Sequence, residues 1–261
     1  MRAEILRAED AAGYRSSNVD DAQSEAQALD LLVPNVELAT GCSPEFLPGA
    51  PPSKKAQDLV SRIYGLLHAS NVIRSEDLRI WGPKPADGGG VPDDGEAMEE
   101  DKEEELEIKG FWTLYIDILF ISLDGNPFDA AWAAVIAALR DVKLPKARWD
   151  IDNARIVCDD EISSAKKLSL NGLPVAVTAA VFGSKERGVN RDSSWILADP
   201  DAFEEELCDE TVTVLVDCSK KDTQLLGIQK VGGTVVGRKE MKELVKMAEE
   251  RWSIWEGLMK G

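Results

Sequence analysis

Two stretches of this chain hold residue types suited to chemistry on an anion or a metal. Leu123-Asp124-Gly125-Asn126-Pro127-Phe128-Asp129-Ala130-Ala131 reads as a turn opening an Ala-rich helix. The free N–H groups of such a helix start attract an anion. Asp199-Pro200-Asp201-Ala202-Phe203-Glu204-Glu205-Glu206 follows a strand-like run and gathers carboxylates of the kind that hold Mg²⁺. An Asp-Pro turn leading into an acidic surface accounts for the same residues without any chemistry. Lys54-Lys55 is a basic pair at a helix start, suited either to RNA phosphate or to plain surface.

Other candidates have bland alternatives. His68 is the only histidine, so a Ser-His-Asp arrangement would have to use it. No nucleophile-elbow sequence supports that, and a helix-end packing role fits better. Gly232-Gly233 is a lone glycine pair and reads as turn chemistry. Trp252 and Trp255 share a helical face and suit core or a subunit interface better than base stacking. Lys185, Arg187 and Arg191 sit in a polar stretch between two strands and are further candidates for RNA or partner contact.

The elements that must position these residues follow from periodicity. Leu31 to Leu38 is extended, with Pro34 keeping Val33 out of helical geometry. Ala56, Leu59, Val60, Ile63, Leu66 and Leu67 recur as in a half-buried helix, with Ser53 placed as its N-cap. Strands are expected at 77–81, 111–122, 155–158, 174–182, 194–198, 211–217 and 224–231, and helices at 128–140 and 239–259. This order is that of an α+β domain, with a mixed β-sheet and helices packed on it. Residues 1–30 read as a poorly ordered N-terminal segment, and residues 31–261 as one domain carrying an acidic disordered insertion at 82–109.

Charge is concentrated in that insertion. Residues 87–107 hold eleven acids against Lys102, and the chain as a whole carries a net charge of -18. Residues 1–30 contribute three arginines against seven acids, which leaves the remainder close to neutral. Net charge therefore neither suggests nor excludes RNA contact. Cys42, Cys158, Cys208 and Cys218 form no C-x-x-C pair, so neither a zinc site nor a redox motif is indicated, and no cofactor is expected. The apolar runs at 111–122 and 173–182 are far shorter than the roughly 20 residues that cross a bilayer. With 44% hydrophobic residues the chain can build a sizeable core.

In sequence, the segments Leu32-Val33-Pro34-Asn35-Val36-Glu37-Leu38, Ile73 to Leu78, Leu123 to Leu139, Val142 to Pro145, Leu173 to Ala176, Leu197 to Pro200 and Val231 to Gly233 resemble those of the RNase PH-like subunits of the eukaryotic RNA exosome. The resemblance implies an RNase PH-like domain in a six-membered ring of such subunits, capped by RNA-binding subunits and threading RNA through a channel. It also implies that Phe128 stands where active relatives place a phosphate-gripping Arg. Asp199 and Glu205 keep the six-residue spacing of an acidic pair that acts on the leaving oxygen or holds a metal. Lys54-Lys55 stands where a basic pair is expected. The family portion that carries an Arg-Pro-Asp-Gly-Arg-like motif is not found, so the domain reads as N-terminally truncated.

The expected function is thus a non-catalytic structural subunit of the exosome ring, supporting 3'-to-5' RNA processing and degradation, including rRNA maturation and mRNA turnover, in nucleus, nucleolus and cytoplasm. No catalytic residue and no metal ligand is assigned, and Lys54 and Lys55 are placed on the RNA path. A phosphorolytic 3'-to-5' exoribonuclease using Asp199 and Glu205 is the alternative. An adaptor acting through the acidic run at 87–107 is a third reading.

Overall fold

In a computed structural model, residues 1–11, 22–47, 49, 51–84, 105–183, 194–233 and 236–260 are described. The chain runs β1 (Arg2–Arg7), α1 (Ala22–Ala28), β2 (Leu32–Leu38), α2 (Lys54–Ser70), β3 (Arg79–Pro83), β4 (Leu106–Phe120) and α3 (Pro127–Asp141). Two small ribbons come next, built from β5 (Lys143–Leu144), β6 (Ala147–Asp150), β7 (Arg155–Cys158) and β8 (Lys166–Lys167). The second half comprises β9 (Val175–Gly183), β10 (Ser194–Ala198), α4 (Ala202–Leu207), β11 (Glu210–Asp217), β12 (Gln224–Gly232) and α5 (Arg238–Lys260).

Two four-stranded sheets organise these elements rather than a single mixed one. In the first, β1-β4-β2, with β3 also on β4, only β2 runs parallel to β4. The second, β10-β9-β11-β12, is antiparallel throughout. β5 pairs with β8 and β6 with β7. The central strands β9 and β11 are buried on both faces, which is why they read as apolar runs without strict alternation. Val177, Ala179, Val181, Val212, Val214 and Val216 pack on Leu244 and Ala248 of α5. The opposite face belongs to the larger core shared with α2 and α3, where Leu59, Ile63, Phe128, Trp132, Ile136 and Leu215 are buried.

Local signals explain the helices. The Ser53 side chain accepts from the Ala56 N–H at 3.1 Å, the expected N-cap of α2. Asn71 closes that helix in the left-handed region at φ 48°. α3 opens with Pro127, whose missing N–H costs nothing in the first turn.

Two expectations about domain organisation need correction. Within 1–30, Arg2–Arg7 forms β1 against Phe111 and its neighbours, and Ala22–Ala28 forms α1. Long-range partners order these polar stretches: Glu25 of α1 takes two hydrogen bonds from Arg79, at 2.6 and 3.0 Å. The acidic insertion is also narrower than 82–109, since Gly82 pairs with Glu107 and Pro83 with Leu106 at the ends of β3 and β4. Its remaining residues, 85–104, lie outside the described residues. Among the described residues no helix is long and apolar enough to cross a membrane.

Candidate functional site

The start of α3 and the turn before α4 meet backbone to backbone. Gly125 sits at φ 82°, and a Cβ there would lie 2.4 Å from the Pro200 carbonyl oxygen, so only glycine permits the approach. Asn126 and Asp199, at φ 39° and 57°, are also left-handed. Asp201 and Glu204 form a capping box that starts α4 and aims Glu205 back at the loop.

Asn126 is the hub between the two acids. Its backbone N–H donates to Glu205 Oε1 at 2.8 Å. Its side-chain Nδ2 donates to Asp199 Oδ1 at 2.8 Å and to Asp129 Oδ2 at 3.1 Å. Asp199 and Glu205 are therefore brought together, six residues apart, around one asparagine. An anion-attracting N–H at the start of α3 is already bonded to a carboxylate of the chain itself. Lys55 Nζ stands 4.0 Å from Glu205 Oε2, which brings the start of α2 to the same place, while Lys54 is exposed beside it. Among the described residues no three His, Cys, Asp or Glu side chains are grouped so as to share a metal ion.

Phe128 does not face this turn as a binding side chain would. It is 1% exposed and stacks on Trp132 with centroids 6.1 Å apart. The Arg62 guanidinium carbon lies 4.4 Å above its ring, a cation–π contact in a largely desolvated place. Arg62 donates through Nε to Gln229 Oε1 at 3.0 Å and through Nη2 to Thr213 Oγ1 at 2.7 Å. Burial pulls its pKa below the usual arginine value, and Asp58, Asp129 and Glu205 oppose that.

A buried polar chain extends from Arg62 into the second sheet. Thr178 Oγ1 reaches Asp129 Oδ1 at 2.7 Å, and Thr213 Oγ1 lies 2.8 Å from Thr178 Oγ1. An ionised carboxylate only accepts, so Thr178 donates to Asp129, Thr213 donates to Thr178, and Arg62 donates to Thr213. Asp129 also accepts from the Thr178 N–H at 3.0 Å and is ion-paired to Arg251 of α5. The donors that could polarise a bound phosphate are thus committed to internal acceptors.

Arg62 and Arg251 were not apparent as candidates in the sequence. Each is a charged residue on an apolar helix stripe, between Leu59 and Leu66 or between Ala248 and Trp255, and that mismatch was the available signal. Trp252 fills core, with its indole N–H donating to the Leu173 carbonyl at 2.9 Å. Trp255 packs partly buried against the same cluster. Gly232, at φ 136°, closes on Glu210 and serves the end of β12. Lys185, Arg187 and Arg191 lie outside the described residues.

His68 is 5% exposed and meets the Tyr64 ring edge-on at 4.5 Å. Burial lowers its pKa from 6.5, so it is neutral in the fold. The unfolded chain then takes up a proton that the folded chain resists, and stability present above pH 6.5 is lost as the pH falls through that value. Melting temperature should therefore decline between pH 7.5 and 6, and His68→Gln should flatten the decline. An equal slope in both proteins would contradict the assignment.

Similarity places this site in a known family. Residues 12–145 match the model of the 3' exoribonuclease family, domain 1, and residues 172–251 match domain 2 of that family. The chain is 32% identical over 221 residues to exosome complex component rrp43 of Schizosaccharomyces pombe, covering 85% of this chain and 67% of that one. It is 27% identical over 218 residues to exosome complex component Rrp42 of Archaeoglobus fulgidus, covering 84% and 65%. It is 26% identical over 234 residues to the Rrp42 component of Methanosarcina mazei, covering 90% and 69%. The chain thus spans about two thirds of the length of these relatives. With both family domains matched in order, and with the α3 loop, the acidic turn and the start of α2 converging as described, the chain belongs to the 3' exoribonuclease family and has an RNase PH-like fold.

Proposed function

We propose that this chain is a ring subunit of the RNA exosome that supports 3'-to-5' RNA processing and degradation without performing the cleavage itself. The observation that carries the reading is the fate of the loop at α3. Phe128 is buried under Arg62, and the Asn126 N–H is bonded to Glu205. Phosphorolysis needs fixed donors aimed at a phosphate as charge develops on it. A phenyl ring cannot supply the bidentate geometry of a guanidinium. The subunit would then act through its interfaces with other RNase PH-like subunits and with RNA-binding cap subunits, with RNA passing Lys54 and Lys55. Nucleus, nucleolus and cytoplasm are the proposed locations, and rRNA maturation and mRNA turnover the proposed pathways.

The purified full-length chain should release no nucleoside diphosphate from single-stranded RNA with inorganic phosphate, with or without Mg²⁺. Phosphate-dependent release that Asp199→Ala or Glu205→Gln abolishes would establish the alternative, a phosphorolytic enzyme.

A further inference from the structure

We propose that a cavity away from the acidic turn binds a nucleotide unit, base against Trp81 and phosphate against lysines of the β5–β8 ribbon. The cavity has a volume of about 480 Å³, and its walls include Trp81, Trp112, Lys146, Lys166, Lys167 and Ser169. That volume falls within the range of sites that hold small ligands. Trp81 is 47% exposed although it is a large aromatic on a strand, so its indole offers a face that the fold leaves uncovered. Base stacking on such a face tolerates any sequence because every base has a π-surface.

The charges on the walls point to an anion. None of the ion pairs among the described residues includes Lys143, Lys146, Lys166 or Lys167. Arg79, also on the wall, is committed to Glu25 at 2.6 Å, and Asp77 is compensated by Arg74 at 3.5 Å. Glu76 is the remaining carboxylate, against three lysines in the cavity. Lys143 moreover stands directly opposite Lys167 across the ribbon. Like charges in that position destabilise a strand pair unless an anion lies between them. Unpaired lysines on a chain of net charge -18 are thus gathered beside an open aromatic face.

A ribonucleotide within a strand and a free mononucleotide present the same base and phosphate. The strand is favoured, because Lys143 continues the cationic surface beyond the cavity walls and could meet a second phosphate. This choice of source rests on the proposed RNA function, whereas the cavity does not.

The test is fluorescence anisotropy with a labelled single-stranded 12-nucleotide RNA and the full-length chain. Lys166→Ala/Lys167→Ala should weaken binding about tenfold and reduce the slope of log affinity against log salt by about 1.4, at about 0.7 per phosphate contact on a single strand. Trp81→Ala should weaken it about tenfold, and Trp81→Phe, which keeps a stacking face, should restore most of the loss. Uridine monophosphate binding as tightly as the 12-mer, with the same response to these variants, would keep the cavity and make free nucleotide its ligand. Unchanged RNA affinity in both the lysine and the Trp81→Ala variants would overturn the proposal. So would RNA affinity that depends on Lys54 and Lys55 alone. Assembly with ring subunits, measured separately, should be unaffected by these variants, so failure here is distinguishable from failure of the ring reading.

Discussion

Replacing Phe128 with Arg is expected to destabilise the fold rather than restore an active site. The side chain at this position is 1% exposed, with Trp132 beside it and the Arg62 guanidinium 4.4 Å above it. A second guanidinium there would be buried without a carboxylate of its own and next to a like charge. Leaving a buried charge uncompensated costs about 3–5 kcal/mol. For a chain of this size that corresponds to a melting temperature lower by about 10 °C. Phe128→Leu, which keeps the site apolar, should cost far less. Phosphate-dependent RNA cleavage by the Arg variant, with its melting temperature unchanged, would show that position 128 faces the turn and that the network described here does not close it.

The second large effect is expected at Asp129. This buried carboxylate takes hydrogen bonds from the Thr178 N–H and hydroxyl and from Asn126, and it is ion-paired to Arg251. It thereby joins α3, the second sheet and α5 in one network. Asp129→Ala leaves Arg251 and the two Thr178 donors without their acceptor, and a loss of about 3–5 kcal/mol is expected. Arg251→Met alone should cost less, because Asp129 keeps its other donors. The double variant should cost less than the sum of the two single ones, with a coupling of at least about 1 kcal/mol. Additive losses, measured by denaturant unfolding, would mean that the ion pair contributes nothing.

Sequence and structure agree where a segment carries its own signal. The strands expected at 155–158 and 194–198 are β7 and β10 with the same bounds, and the helices α2, α3 and α5 differ from expectation only at their ends. Each of these helices has an apolar stripe, and α2 and α3 have recognisable starts at Ser53 and Pro127. β1 and α1 carry no such local signal. Their order comes from β4 and from Arg79, partners that are distant in the chain. α4 was hidden for another reason: six residues hold too little periodicity, although Asp201 and Glu204 spell its capping box. At the site, the acidic pair and the α3 loop were legible as types and spacing. Their convergence on Asn126 was not, because it depends on Gly125 meeting Pro200, residues 75 apart in the chain. The roles of Arg62 and Arg251 were hidden likewise, since their partners Thr213 and Asp129 are set by packing between α2, α5 and the second sheet.

Affinity purification of the tagged full-length chain from native extract, followed by mass spectrometry and size-exclusion chromatography, tests the central claim most directly. The account predicts a complex in which the chain is accompanied by other RNase PH-like exosome subunits in near-equal amounts, with exposed apolar residues such as Leu225, Ile228 and Val231 on β12 suited to burial in such contacts. A well-folded monomer that recovers none of those subunits would contradict it.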